Sequence, residues 1–480
     1  MATIDEQIRA GEVPVREGDY GERVGTVEPG GVEYIAEDER HGRPLQMFWT
    51  WMSPNLEFAT IYVGCIGVFL FGGSFWTVAL AVIVGSALGS LSHAVLSSWG
   101  PKFGVPQMVQ GRSAFGFLGN ILPAGLMSIT AGVGWFAVNS VSGAFALSAL
   151  FGVPSWLSLV VIVLIQVVVA FFGHNLVHVF ERYAFIPLAI VFALATIFIF
   201  VHANPSHGFD PKAPLAFGGE LGAFMLTAAA SFGYAAGWNP YASDYTRYFP
   251  SHVDRRMVGV WAGLGVFVSC VWLELAGAAL VTVPGTKWLG TNPTAQLQLA
   301  MPDLLYKLTL LCIALGAVSA NVLNIYSGAM AFLTVGIKLP VSLRRALVAL
   351  VFGAIGFIVA LTGLNGASTA YENFLLLISY WIAPWLGVMF MNYWLRRGEI
   401  PDSELFDRRR ENWSGPIAMI VGAAVSIFFF SNQAVYLGPV PKAVPQLGDL
   451  TFLVGFVLSA LVYYLLNMRV RERDRATASP

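Results

Sequence analysis

GYAAGWNPYASDYTRYFP, residues Gly233 to Pro250, closes an apolar run long enough to be a membrane helix, and it sets Gly237 and Pro240 at a depth where such a helix should still be continuous. Proline has no N–H to donate and its ring crowds the preceding turn, so the hydrogen-bond ladder has to break there. A broken helix in lipid leaves backbone groups that need a polar partner, and in a protein-lined cavity that partner is commonly a ligand. Upstream, FWTWMSPNLEFATIYVG (Phe48 to Gly64) has the same character, with Pro54 and Asn55 interrupting the first apolar segment. Two breaks at corresponding places in two halves point to an inverted repeat with its site at the repeat interface.

The rest of the chain agrees with a membrane setting. Of its 480 residues 56% are hydrophobic and 11% charged, with a mean hydropathy of +0.67, against about 45–50% and about 25% in a soluble domain. The fold class is an all-α polytopic membrane protein of about twelve spans, each needing about 20 apolar residues. The stretch 119–150 is long for one span and leaves room for a short interfacial helix. The chain divides into a mobile N-terminal tail (1–43), a first repeat of five spans (44–205), a second (206–397), a further pair (398–468) and a C-terminal tail (469–480). With the N-terminus inside, 23 of the 27 Lys and Arg residues fall on the inner side, and only Lys212, Lys287, Lys307 and Lys442 on the outer. Cytoplasmic loops retain positive charge, so both tails are cytoplasmic and the plasma (inner) membrane is the expected location. A net charge of -1 argues against a nucleic-acid partner. Cys65, Cys270 and Cys312 lie in apolar runs without metal-ligand spacing and read as packing residues.

Few ionisable groups lie inside the spans, and each is costly enough there to be examined for function. Glu57 follows the first break. Asp244 has Arg247 three residues on and reads first as a structural pair. Glu274 has no evident partner and reads either as a proton site or as facing a polar crevice. Glu181, beside Arg182, is either interfacial or a proton carrier. His174, His178 and Glu181 could share one helical face, but the zincin order requires Glu directly after the first His, so no metal is expected. Amides lie at depth too: Asn139 in GWFAVNS, Asn239 in GWNPY, and Asn321 and Asn324 in SANVLNIYS. An isolated Asn in a span usually bonds a neighbouring helix. Several beside Trp135, Trp238 and a broken helix suit the mixed donor and acceptor edge of an uncharged heterocycle, with the indoles stacking on its faces.

WMSPN, GWFAVNS, NLVHVFERY, GWNPYASDYTRYFP and NVLNIYS together resemble the nucleobase-cation symport family, in its purine and cytosine permease branch, over about residues 45–470. The resemblance implies a leucine-transporter-type fold, a five-plus-five inverted repeat with two further helices, coupled to a proton or sodium gradient. It also implies that Trp135 stacks on the substrate ring while Asn139 bonds its edge. Trp238 would form a second aromatic wall, Asn324 with Asn321 would bond the ring, and Ser53 and Asn55 would line the pocket. Sodium-coupled members offer two adjacent hydroxyls where this chain has Ser319 followed by Ala320. That favours a proton as coupling ion, with Glu181 matching a family carboxylate. The expected function is a symporter, without cofactor, importing cytosine or a purine. Hydantoin, allantoin, uracil, thiamine or another vitamin-like ring are the alternative substrates, and a channel or a membrane-embedded enzyme the alternative classes. No HExxH, close Ser/His or paired-Asp constellation supports an enzyme.

Overall fold

A computed structural model describes residues 4–16, 31–170, 174–206, 218–288, 292–336 and 341–477, with backbone only at 5 and 9 and over 169–170, 174–181, 341–349 and 469–477. It is built of helices. The first segment is α1 (Gln46–Met52) and α2 (Phe58–Phe69), followed by α3 (Phe75–Ser97). Next come α4 (Ile121–Ile129), α5 (Phe136–Phe151), α6 (Ser155–Ala170) and α7 (His174–His202). The second half runs α8 (Gly219–Ala236), α9 (Ala242–Thr246), α10 (Arg255–Val281), α11 (Asp303–Thr334), α12 (Val341–Gly363) and α13 (Ala367–Leu395). Finally there are α14 (Ser414–Phe430) and α15 (Thr451–Thr477). Among the described residues seven helices are long and apolar enough to cross a membrane, and four further apolar helices are shorter. Side-chain caps fix several starts: Glu57 accepts from Ala59 N–H at the head of α2, Ser74 from Thr77 N–H at α3, and Asp254 from Arg256 and Met257 N–H at α10.

Packing follows the repeat. α3 lies along both α8 and α10, and α1 and α2 pack on α10, which makes one bundle. α5 packs on α11, with α6 and α12 each touching both, and α7 lies against α11. The pairing survives exchange of each segment with its counterpart in the other half: α2 on α10 corresponds to α8 on α3, α6 on α11 to α12 on α5, and α7 on α1 to α13 on α8. Small residues set the closest approach, as is usual where helices pack in lipid. A Cβ on Gly64 would lie 1.7 Å from Glu274 O and one on Gly277 1.7 Å from Ile61 O, so α2 and α10 cross backbone to backbone.

The two breaks differ in kind. Between α1 and α2 the chain passes through a 3-10 turn (Ser53–Asn55) and then opens, with Leu56 at φ -77, ψ 72 and Glu57 extended at φ -154, ψ 161. The second break is tighter than the sequence suggests. α8 ends at Ala236 and a 3-10 turn spans Asn239–Tyr241, yet Gly237, Trp238 and Tyr241 keep right-handed helical dihedrals, and Tyr241 N–H reaches Trp238 O at 3.1 Å. Proline's fixed φ is compatible with helix, and at the start of a 3-10 turn its missing N–H is absorbed by the change of register. The long third segment holds no separate interfacial helix. Thr130–Trp135 instead forms a π-helical turn joining α4 to α5.

The described parts of the N-terminal region correct the expectation of a mobile tail. Val13, Tyr34, Ile35 and Arg40 are buried. Arg40 donates to Ile35 O at 2.9 Å and to Pro101 O at 2.8 Å, Ile35 N–H donates to Gly104 O at 3.1 Å, and Arg247 donates to Gly31 O at 2.8 Å. A polar, glycine-rich segment packs here because it answers exposed carbonyls and guanidinium groups at the end of the bundle, which hydropathy does not register. Lys212 and Lys338 lie outside the described residues.

Candidate functional site

The π turn, the two breaks and the middle of α11 meet at one level. Trp135 ends the π turn, and π turns occur often at functional sites because they free a carbonyl and re-aim side chains. Its ring meets Tyr234 at 5.3 Å and 88° and Phe374 at 5.0 Å and 80°, so neither neighbour stacks on its face. Gly237 makes room for the indole: a Cβ there would lie 2.9 Å from Trp135 Cζ2.

One turn along α5, Asn139 Nδ2 donates to Asn321 Oδ1 at 3.1 Å, and Asn324 Nδ2 donates to the same oxygen at 3.1 Å. Asn321 Nδ2 donates to Phe136 O at 2.9 Å and Ser140 Oγ at 3.2 Å, which anchors it as the hub of the cluster. Tyr241 O–H donates to Asn324 Oδ1 at 2.7 Å. Trp238 Nε1 donates to Asn55 Oδ1 at 2.8 Å, while Asn55 Nδ2 donates to Trp51 O at 2.8 Å, tying the two breaks together. Ser53 Oγ and Ser319 Oγ are 3.5 Å apart, so Pro54's turn touches α11.

Asn239 does not join this cluster. Its Nδ2 donates to Ser92 Oγ at 2.6 Å, which directs it toward α3. Trp238 packs at 61° on both Trp51 and Tyr241 and forms no ring contact with Trp135 among the described residues. Asp244 and Arg247 turn to different partners: Asp244 accepts from Gln107 N–H at 2.9 Å and Arg247 bonds Gly31 O and Tyr248. Glu181 and the His174 and His178 side chains lie outside the described residues. Among the described residues no group of three His, Cys, Asp or Glu could hold a metal.

Sequence reasoning passed over three participants. Tyr241 stands in the quoted motif and offered a phenol at the right depth. Phe374 on α13 and Ser142, which bonds the Glu57 carboxylate, had no signal, since their contacts arise from packing between distant elements. A largely apolar cavity of about 260 Å³ lies against this level, walled by Phe58, Tyr62, Ala137, Ser142, Tyr371 and Phe374 among others. Phe374 belongs both to its wall and to the Trp135 contact, whereas the three amides are not part of the wall.

Comparison with known proteins gives a consistent answer. The family described as "Permease for cytosine/purines, uracil, thiamine, allantoin" matches residues 34–455. The chain is 30% identical over 455 residues to "Putative purine-cytosine permease YxlA" of Bacillus subtilis, covering 93% of this chain and 96% of that protein. It is 28% identical to the purine-cytosine permease fcyB of Emericella nidulans, over 92% of this chain and 88% of the other. Among solved structures it is similar to Mhp1, a nucleobase-cation-symport-1 family transporter in a closed conformation with bromovinylhydantoin bound. The TM-score is 0.72 at 17% identity, over 93% of this chain and 96% of that one, a likeness of fold.

Proposed function

Because the chain belongs to the family of permeases for cytosine and purines, uracil, thiamine and allantoin, we propose that this integral membrane protein imports an uncharged nucleobase, cytosine or a purine, by proton-coupled alternating access. The observation that carries the reading is the linked amide set Asn139, Asn321 and Asn324 beside Trp135. Amides offer both donor and acceptor to a ring edge, and the indole offers a face. The adjoining cavity, about 260 Å³, suits one flat ring, since drug-sized ligands occupy roughly 300–1,000 Å³. Rearrangement of Phe374 and Trp135 would join the cavity to the amides. Ser53 and Asn55 would shape the pocket from the first break, and Trp238 would act through its bond to Asn55. Asn239 would support α3 packing more than the substrate.

For the coupling ion, the support is chemical. Ser319 is followed by Ala320, which leaves one hydroxyl where an alkali cation needs several oxygens, and a proton needs no such cage. Glu181 is the carboxylate that the family resemblance favours as carrier. Hydantoin and allantoin are the second reading, favoured by the ligand of the Mhp1 structure. Proteoliposome uptake of labelled cytosine, adenine, hypoxanthine, uracil, hydantoin and allantoin, with and without sodium, tests both points. The expected result is saturable uptake of cytosine or a purine driven by an inward proton gradient in sodium-free buffer. Uptake that stops without sodium overturns the proton reading, and uptake of hydantoin alone overturns the substrate reading.

A further inference from the structure

Away from the amide cluster, the bundle interior carries a second polar feature. Along α3, Ser86, Ser90, His93 and Ser97 fall at intervals of four, three and four, on one helical face. All four are buried and no side chain among them closes a hydrogen bond, although the Trp238 carbonyl and the Asn239 side chain face the His93 ring. Ser158, Ser231 and Ser327 are likewise unpartnered, while further buried serines bond within their own helix. Ser92 Oγ donates to Leu88 O and Gly89 O, and Ser269 Oγ to Gly265 O, the usual way a helical serine satisfies itself. At the Ser86 end of the row stands Glu274 of α10, fully buried, with neither carboxylate oxygen bonded. The hydroxyls of Ser86 and of Ser231 on α8 face it without closing a bond. A carboxylate so placed is expensive in a membrane interior and is retained where it does something.

We propose that Glu274 is a proton-binding site of the transport cycle and that the Ser90, His93, Ser97 row is its path to the end of the bundle where α3 terminates. The inference rests on the proton-coupled reading above and adds to Glu181 a second proton-binding carboxylate, inside the bundle. Three other buried carboxylates are bonded and held as structure: Glu57 caps α2 and accepts from Ser142, Asp244 accepts from Gln107 N–H, and Asp449 accepts from Asn432 and Thr451 N–H. The titratable groups facing Glu274 are Cys270 on its own helix, Tyr234 from α8 and Tyr371 from α13. In loading, one oxygen of the carboxylate takes a proton from the aqueous phase and the group becomes neutral. In release, the proton leaves through hydroxyls, imidazole and bridging water, and the charge returns. The row covers 12 residues of helix, Ser86 to Ser97, about 16 Å end to end at 1.5 Å per step, enough to reach from mid-bundle toward one surface.

The test uses proteoliposomes carrying an internal pH dye and the best-transported member of the six-compound panel. Wild-type protein should acidify the lumen as substrate enters. Glu274→Gln should keep substrate counterflow within about twofold while gradient-driven accumulation falls at least roughly tenfold and acidification is lost. Acidification by Glu274→Gln at the wild-type proton-to-substrate ratio overturns the inference and leaves the proton reading standing. Uptake by the wild type without acidification overturns both. Should Glu274→Gln not reach the membrane, the pair Ser86→Ala and Ser231→Ala keeps the carboxylate and decides the matter. The pH of half-maximal uptake should then move by about one unit, and an unchanged profile overturns the inference.

Discussion

Trp135 shows how one residue's setting translates into a measurable effect. Its ring is met nearly at right angles by Tyr234 and Phe374, so neither takes the parallel position that a planar ligand would occupy. Stacking of a base on an aromatic side chain contributes about 1–3 kcal/mol, so Trp135→Ala should weaken binding roughly 5- to 150-fold. Trp135→Phe should recover part of that loss. Equilibrium binding of a labelled panel compound to purified protein checks this, and equal affinity in wild type and Trp135→Ala would remove the ring from the site. Trp135, Asn139, Asn321 and Asn324 were legible in the sequence because aromatic and amide groups at helical spacing in apolar runs are rare enough to be noticed. Asn239 was read with the other amides, and its turn toward Ser92 was not legible, since a residue at a break can face either way and its spacing carries no direction. Ser142 and Phe374 look like ordinary span residues until α5, α2 and α13 are brought together.

Among elements, the tight turn after α8 makes the sharper prediction. Gly237 is needed for space more than for unusual dihedrals: an added Cβ would lie 2.9 Å from Trp135 Cζ2 and 3.0 Å from Tyr234 O. Gly237→Ala should displace the indole and weaken substrate binding about tenfold, within the range of one lost stacking contact. Pro240→Ala should do less. The turn already has helical dihedrals, so an added N–H can extend the ladder without moving Trp135. Comparing the two dissociation constants tests the ranking, and a larger loss at Pro240 would mean that backbone exposure matters more than the ring. The sequence announced both breaks through their prolines. It could not say that one opens and the other only tightens, because proline removes a bond without prescribing what replaces it. The π turn had no marker beyond a segment longer than one span requires.

At the scale of the whole molecule, the end of the bundle that carries the N-terminal region is sealed by polar contacts between distant segments. Asp402, in the 3-10 turn Asp402–Leu405, is raised to about 6 by burial, with Arg40 and Lys102 pulling the other way. A carboxyl raised in the folded state favours folding most below its unfolded value of about 4, and this contribution is lost as pH rises through about 6. Asp402→Asn should therefore melt roughly 1–3 °C above wild type at pH 7.5, with the gap narrowed at pH 5. Thermal scans at both pH values measure it, and parallel curves would show that Asp402 is not desolvated. The packing of this end escaped the sequence because its partners lie so far apart: Ser403 N–H donates to Gln7 Oε1 at 2.9 Å across 396 positions. The distance also sets an order of assembly. Residues 4–16 and 31–43 leave the ribosome first, while Tyr248, Ser251 and Ser403, to which they bond, emerge hundreds of residues later. Residues 31–43 already meet partners at Pro101 and Gly104, but residues 4–16 reach Ser403 only late in synthesis. A chain truncated before Ser403 would therefore hold that first piece less firmly, distinguishable from finished protein by protease sensitivity.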